Sequence, residues 1–510
     1  MALTICAVAS EVAPFAKTGG LADVTAALTK YLTAAGHDVR LFMPLYSQLD
    51  RARFALTPTG IKRSTPLGSH TYDWSVHTAR LPGSRARVHL VDCPALYARE
   101  RLYTADGDDH RRFLLLTRAA LESCQQLGLR PDILHCHDWH AAFGPLFLRT
   151  LYGWDQLFAA TRSVLTIHNI GYQGVFAAQD ASDLGLGENV YRLHQDDLRA
   201  GRVNALKHGC LYADAITTVS PTYAREIRTP QFGMGLEDIL SARGTALTGI
   251  LNGVDYDEWD PRTDPYIQPH YGPSTLALKR ELKQQLLSRL RLQVDTGAPL
   301  IGMVTRLAPQ KGIELALAVL PEFLAAHGQA TGREPAAAHG PATGQRPAAA
   351  QGHLAFVALG SGEGGYEHAL ERLQRDFPRQ VVFHRGYSEE LAHWIEAASD
   401  LFLMPSLYEP CGLNQMYSLR YGSVPVVRRT GGLADSVQSY DPATGTGTGI
   451  LFEEPTAAAL ATALHTALGL YAQPQHLRRL RANGMAEDFS WARQGGQYVA
   501  LYERLLSTPK

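Results

Sequence analysis

Two α/β domains, each a doubly wound parallel sheet, are the fold class this sequence predicts, on three observations. Short apolar runs that read as buried strands alternate with amphipathic stretches that read as helices. Polar and glycine-containing loops follow those runs directly, which is where open α/β sheets bind ligands. The hexapeptide Thr18-Gly19-Gly20-Leu21-Ala22-Asp23 returns as Thr430-Gly431-Gly432-Leu433-Ala434-Asp435, once in each half and each time after a strand-like run. This repetition predicts two similar domains presenting glycine loops to a shared cleft. At 510 residues the chain exceeds one ordinary core, so at least two domains are expected.

Composition narrows the partners. A formal net charge of −1, with 45% apolar and 19% charged residues, supplies no general field for nucleic acid or anionic membrane and suits a neutral polymer. No run reaches the eighteen or so apolar residues of a membrane span. The first residues, MALTICAVASEVAPF, lack a basic leader and enter a strand directly, so no signal peptide is expected. Six cysteines (Cys6, Cys93, Cys124, Cys136, Cys210, Cys411) are scattered without a C-x-x-C pair. They read as reduced thiols of a cytoplasmic protein.

In chain order, residues 3–9 read as the first strand, 11–23 as a glycine loop, 21–35 as a helix closed by Gly36, and 38–43 as the next strand. This βαβ unit is of nucleotide-binding style, but it lacks G-x-G-x-x-G and carries no dinucleotide fingerprint. Gly19 and Gly20 would let the backbone approach a phosphate or sugar, with the Lys17 charge beside them. A plain turn accounts for the same residues. Residues 51–92 suggest β-hairpins. Tyr97 and Tyr103 fall in a polar, arginine-rich loop where aromatic faces can stack on sugars. The strand at 132–136 runs into His135-Cys136-His137-Asp138-Trp139-His140. Three histidines invite a metal, but no second ligand cluster follows. Asp138 is expected to cap the next helix or to meet a ligand at the strand end. The strand at 163–167 ends at His168-Asn169, where His168 is either a core histidine or a site residue. Strands at 214–219 and 249–254 complete this half, with Asn252-Gly253 as a turn signal.

The second half begins near Pro261. Residues 279–292 form an amphipathic stretch, and 300–304 a strand followed by Arg306 and Lys311. Two cations just past a strand end suit a pyrophosphate, Arg as a bidentate fork and Lys as a point charge. Ordinary surface charges would read the same way. Further strands are expected at 354–359, 380–383, 400–404, 424–427 and 449–452. Glu409 and Cys411 follow the strand at 400–404, before a helix opening at Gly412. A carboxylate there can bind hydroxyls beside a phosphate site, or merely favour the helix dipole. Residues 326–337 (AHGQATGREPAA) recur as 338–349 (AHGPATGQRPAA). They hold too little apolar surface to bury and are expected to be a disordered insertion. A last helix after Ser490 carries Trp491, Tyr498, Leu501, Tyr502 and Leu505.

Taken together and in order, KTGGLAD, HCHDWH, TIHNIGYQG, LNGVDYDEWDP, TRLAPQKG and EPCGLNQMYSLRYG resemble the bacterial glycogen synthases and plant starch synthases. The match spans nearly the whole chain. The resemblance implies the GT-B glycosyltransferase fold, two Rossmann-like domains around a deep cleft. Residues 1–255 would be the acceptor side, 256–488 the nucleotide-sugar side with the insertion at 326–352, and 489–510 a C-terminal helix crossing back to the first domain. The implied reaction is retaining transfer of glucose from ADP-glucose to the non-reducing 4-hydroxyl of an α-1,4-glucan such as glycogen, releasing ADP. No metal, cofactor, nucleic acid or membrane is implied.

By the same resemblance, Glu409, Arg306, Lys311, His168 and Asp138 form the reaction centre. Arg306 and Lys311 would hold the pyrophosphate, Glu409 the glucose hydroxyls, and the His168 backbone the glucose 6-hydroxyl. Lys17, Gly19, Gly20, Asn252, Tyr387, Cys411, Gly412, Leu413 and Asn414 would bind the donor, with Tyr387 stacked on adenine. Tyr97 would stand on the acceptor side. Many related retaining enzymes carry a second glutamate eight residues after the first. Here that position is Tyr417, so ribose recognition must come from elsewhere. Three alternatives stay open: a UDP-glucose enzyme, a maltose-1-phosphate-forming enzyme, and a catalytically silent glucan-binding protein. A phosphorylase is disfavoured, since no lysine sits in a recognisable pyridoxal-phosphate motif.

Overall fold

The computed structural model describes residues 2–104, 106–326 and 354–508. The expected disordered insertion lies outside the described residues, apart from Ala326, which ends the helix Ile313–Ala326. The chain divides into two compact units, Met1–Gly253 with Ser490–Lys510, and Val254–Phe489.

The first unit is built on a nine-stranded sheet. Across it the strands run Leu247–Gly249, Ala215–Thr218, Arg162–Ile167, Ile133–His137, Thr4–Val8, Asp38–Pro44, Arg87–Asp92, His70–Arg80 and Thr57–Leu67. All neighbours are parallel except the last two pairings, which are antiparallel. Thr4–Val8 pairs with Asp38–Pro44 on one side and Ile133–His137 on the other. The winding therefore reverses between Thr4–Val8 and Ile133–His137, and a crevice opens at such a reversal. One face of the sheet packs Ile5, Val39, Ile133 and Val164 against Val24, Leu28 and Leu32 of the helix Gly20–Ala34. The same cluster takes Trp491, Tyr498, Leu501 and Tyr502 from the helix Trp491–Ser507. The closing strand expected at 249–254 is instead Leu247–Gly249. Past Gly249 the chain leaves the sheet, so the apolar Ile250-Leu251 pair is buried without lying in a strand.

The second unit holds a six-stranded parallel sheet in the order Val381–Arg385, Ala355–Gly360, Leu300–Val304, Leu401–Met404, Val424–Arg428, Ile450–Phe452. Here the reversal falls between Leu300–Val304 and Leu401–Met404, paired at Ile301 and Leu401. Strand residues such as Phe356, Leu403 and Val426 pack on Leu320, Leu370 and Leu464 from the flanking helices. No helix among the described residues is long and apolar enough to cross a membrane.

Candidate functional site

Each unit places part of its candidate residues at the carboxyl ends of the two strands that flank its winding reversal. In the first unit these ends are Ser10-Glu11 and Asp138. Glu11 is buried, and its two oxygens hold the glycine loop: Thr18 donates its backbone N–H to Oε2 at 2.5 Å and its hydroxyl to Oε1 at 2.7 Å. Lys17 is exposed, with Nζ 2.9 Å from Asp23. Gly20 starts the helix Gly20–Ala34.

Asp138 begins the short helix Asp138–Ala141 with φ +55°, an uncommon backbone for a non-glycine residue. Its Oδ1 accepts the backbone N–H groups of His168 at 2.6 Å and Asn169 at 3.3 Å. The carboxylate thus fixes the end of the neighbouring strand Arg162–Ile167. Burial lifts the Asp138 pKa to about 7, the two N–H donors oppose that rise, and the Glu11 charge adds to it.

The histidines face one another. His137 Nδ1 lies 3.0 Å from His168 Nε2, and the His135 and His137 rings are 4.1 Å apart. His135 is held at both nitrogens, by the Tyr502 hydroxyl at 2.8 Å and the Thr166 hydroxyl at 2.6 Å. Burial depresses the pKa of His137 and His140 to about 3, and pushes His135 and His168 far below the usual imidazole value. These rings are neutral at physiological pH, so none of them brings a positive charge to the strand end. A second group, His110, Asp180 and Asp183, has ligand atoms within 4.8 Å of one another. Arg111 Nε already sits 2.6 Å from Asp183 Oδ2 and supplies the positive charge there. Asn252 is buried, with Oδ1 unpartnered among the described residues.

The charge states make stability pH-dependent in two opposite senses. A carboxyl whose folded pKa stands above its ordinary value holds its proton more tightly in the folded chain. Its contribution is full below about pH 4 and is lost as the pH rises through about 7. The depressed imidazoles contribute above about pH 6.5 and lose that contribution on acidification. Asp138→Asn keeps the Oδ1 acceptor and removes the titration. It is expected to raise the melting temperature at pH 8 relative to that at pH 5, compared with wild type. Scanning calorimetry across this range checks it, and parallel curves for the two proteins would contradict it.

In the second unit, Lys311 ends the short turn Pro309–Lys311 after the strand Leu300–Val304, and Glu409 follows Leu401–Met404. These adjacent strands bring Lys311 Nζ within 2.6 Å of Glu409 Oε2. The Ser406 hydroxyl donates to the same oxygen at 2.9 Å, and Glu409 is 4% exposed. Asn414 Nδ2 donates to Val304 O at 2.6 Å, tying the helix Asn414–Arg420 to the strand end. Arg306 is exposed. Tyr387, just past Val381–Arg385, is 63% exposed.

Four expectations need correction. Tyr97 does not lie in the polar loop: it is buried at the end of the turn Pro94–Tyr97, and its hydroxyl donates to Arg112 O at 2.8 Å. Its polar sequence neighbours hide one inward-facing ring, which packs near Tyr46. Tyr103 is half-buried, stacked on His140 at 5.1 Å, with its hydroxyl 2.5 Å from Glu11 Oε1. The helix near Cys411 starts at Asn414, because Gly412 takes φ +72° and turns the chain first. Finally, the two T-G-G-L-A-D copies differ. Thr18 and Gly20 are exposed, whereas Thr430, Gly431 and Gly432 are buried, the two glycines against the backbone of Glu409–Cys411. The second copy is a packing device that positions Glu409, with Gly432 N–H bonded to Glu409 O at 3.0 Å.

Sequence reasoning passed over Glu11, Ser406 and the surroundings of Tyr417. The Tyr417 ring lies parallel to Trp259 at 4.0 Å, and Trp259 stacks on His393 at 3.7 Å. An aromatic sandwich fills the space around that position.

The family model described as "Starch synthase catalytic domain" matches residues 4–242, and that described as "Glycosyl transferases group 1" matches residues 287–485. Glycogen synthase of Anaeromyxobacter dehalogenans (strain 2CP-C) is 44% identical, and glycogen synthase of Myxococcus xanthus (strain DK1622) 42% identical, each over 99% of this chain and 100% of the relative. Among solved structures, the catalytic domain of starch synthase IV from Arabidopsis thaliana, bound to ADP and acarbose, gives a TM-score of 0.88 at 34% identity, covering 100% of both chains. Sucrose-phosphate synthase from Thermosynechococcus elongatus gives 0.60 at 18% identity over 99% of each chain, a likeness of fold alone.

Proposed function

This chain belongs to the family of glycogen and starch synthases and has the GT-B fold, and we propose that it transfers glucose from ADP-glucose to the non-reducing 4-hydroxyl of an α-1,4-glucan with retention at C1. The observation that carries this reading is the Lys311–Glu409 pair at the winding reversal of the second unit, with Arg306 exposed on the same connection. As the C1–O bond to the diphosphate lengthens, negative charge gathers on the leaving ADP. Preorganised cations are worth most there, because Lys311 and Arg306 interact more strongly with that charge than with the ground state. Glu409, oriented by Lys311 and Ser406, accepts hydrogen bonds from glucose hydroxyls. Tyr387, 63% exposed, offers an aromatic ring to adenine. In the first unit, Lys17 adds charge beside Gly19 and Gly20, and Asn252 keeps an acceptor unpartnered among the described residues.

We favour a front-face displacement. The acceptor 4-hydroxyl attacks C1 from the side that ADP leaves, and its proton passes to a departing diphosphate oxygen. One C–O bond breaks and one forms on the same face, with no protein nucleophile. A trapped glucosyl-enzyme adduct would replace this by double displacement. The six buried, free cysteines agree with a cytoplasmic setting.

The deciding experiment measures glucose transfer to glycogen from ADP-glucose and UDP-glucose in parallel, without added metal and with Glu409→Ala as control. Transfer from ADP-glucose that collapses in the variant is the expected result. Transfer from UDP-glucose alone would reassign the donor. Glycogen binding without transfer from either would make the chain a silent glucan binder.

A further inference from the structure

Three hydrogen-bond donors converge on Glu11, a residue for which the proposed reaction assigns no role. The Thr18 backbone N–H reaches Oε2 at 2.5 Å, the Thr18 hydroxyl Oε1 at 2.7 Å, and the Tyr103 hydroxyl the same Oε1 at 2.5 Å. Tyr103 stands 92 residues away in sequence, so two distant segments meet on one carboxylate. Glu11 is 3% exposed and follows the central strand Thr4–Val8. Its own carbonyl accepts the Thr25 hydroxyl at 2.8 Å. The carboxylate is therefore anchored from behind while its oxygens face the two loops.

Those loops need an external tie. A Cβ built on Gly19 would meet nothing within 4 Å, so side-chain packing does not fix the Lys17–Gly20 turn at that point. Polar contacts do, through Lys17 with Asp23 and Thr18 with Glu11. Tyr103 lies in the polar stretch between the turn Pro94–Tyr97 and the helix Asp109–Leu127, with its ring on His140. It is the tyrosine of that stretch left partly open, since Tyr97 is sealed in the core.

We propose that Glu11 is a positioning residue whose single carboxylate registers the Lys17–Gly20 loop against Tyr103, ordering the sugar-nucleotide side and the glucan side of this unit together. This rests on the reading that the glycine loop meets the donor, and it assigns Tyr103 to the acceptor side in place of Tyr97. The chemistry requires a carboxylate. An ionised carboxylate accepts at both oxygens, so all three donors are satisfied. A carboxamide has one acceptor oxygen and turns an NH2 toward the other donors. Glu11 itself is 3% exposed, and the donor that loses its acceptor there breaks the tie between the two loops.

The test compares wild type with Glu11→Gln, Thr18→Val, Tyr103→Phe and the two double variants on the Glu11→Gln background. Calorimetry reads ADP affinity, affinity electrophoresis reads glycogen affinity, and steady-state kinetics gives both KM values. Glu11→Gln is expected to weaken ADP and glycogen together, each by roughly tenfold, the loss of one charge-assisted hydrogen bond. Thr18→Val should weaken ADP alone and Tyr103→Phe glycogen alone. Neither should add to Glu11→Gln, because the carboxylate already mediates both. A lowered melting temperature with both affinities unchanged would make Glu11 a plain structural strut and overturn the inference. So would losses that multiply in the double variants. Both affinities are read without turnover. A wild-type chain that transfers no glucose would therefore sink the transferase reading, while the binding data still decide the role of Glu11.

Discussion

Replacing Lys311 by alanine is expected to lower kcat for glucose transfer by about a hundred- to a thousandfold, close to 3–4 kcal/mol of transition-state stabilisation. Two losses combine in that figure. The first is the cation facing the departing diphosphate. The second is the partner 2.6 Å from Glu409 Oε2, whose removal leaves a carboxylate only 4% exposed with the Ser406 hydroxyl and no positive charge. Breaking one side of such a buried pair costs more than the pair contributes when intact. The double variant Lys311→Ala, Glu409→Ala should consequently be no slower than the worse single variant. Lys311→Arg keeps the charge but spreads it over a planar fork, and should recover part of the rate. Steady-state kinetics with ADP-glucose measures the wild type and all four variants. A Lys311→Ala enzyme within threefold of wild type would reduce the ion pair to a strut holding Glu409.

Gly432→Ala is expected to destabilise the second unit by about 3 kcal/mol, a drop of roughly 6–12 °C in its melting temperature. A Cβ at Gly432 would overlap the carbonyl and Cα of Cys411, and neither can swing away as a side-chain tip would. The segment that must move carries Glu409, so kcat should fall with stability. Gly19→Ala in the other copy of the same hexapeptide, at the position that aligns with Gly431, is the control. Gly19 has φ −162°, extended backbone that any residue adopts, and open space around its Cβ position. Its melting temperature should stay unchanged. Any loss of activity there would report on the approach of the donor. Equal melting temperatures for the two variants would contradict the difference in burial.

Lys311 and Glu409 were legible because polar chemistry stood directly after uninterrupted apolar strands, a local signal. The two hexapeptide copies show where such signals end. Thr18 and Gly20 sit in the open in one unit, while their counterparts Thr430 and Gly432 are buried in the other, a difference set by the neighbours each copy folds against. Tyr97 misled for a related reason: an inward-facing ring among arginines looks like a surface ring until its partner Arg112 is placed. Glu11 carried one faint mark, a lone acid after an apolar strand. Its meaning depends on Tyr103, which no spacing rule connects to it. The Trp259–Tyr417 stack likewise joins residues from distant segments.

The helix Trp491–Ser507 has a consequence for how the chain is made. Its Trp491, Tyr498, Leu501 and Tyr502 complete a core whose other members come from the first 250 residues. All of Val254–Phe489 is synthesised in between. At about 5–20 residues per second, that leaves the apolar faces of Ile5, Leu28 and Val39 waiting on the order of ten to fifty seconds for their cover. The second unit, continuous in sequence, can close first. The first to be translated is thus the last to be finished, and its half-built face is what a nascent-chain chaperone would meet.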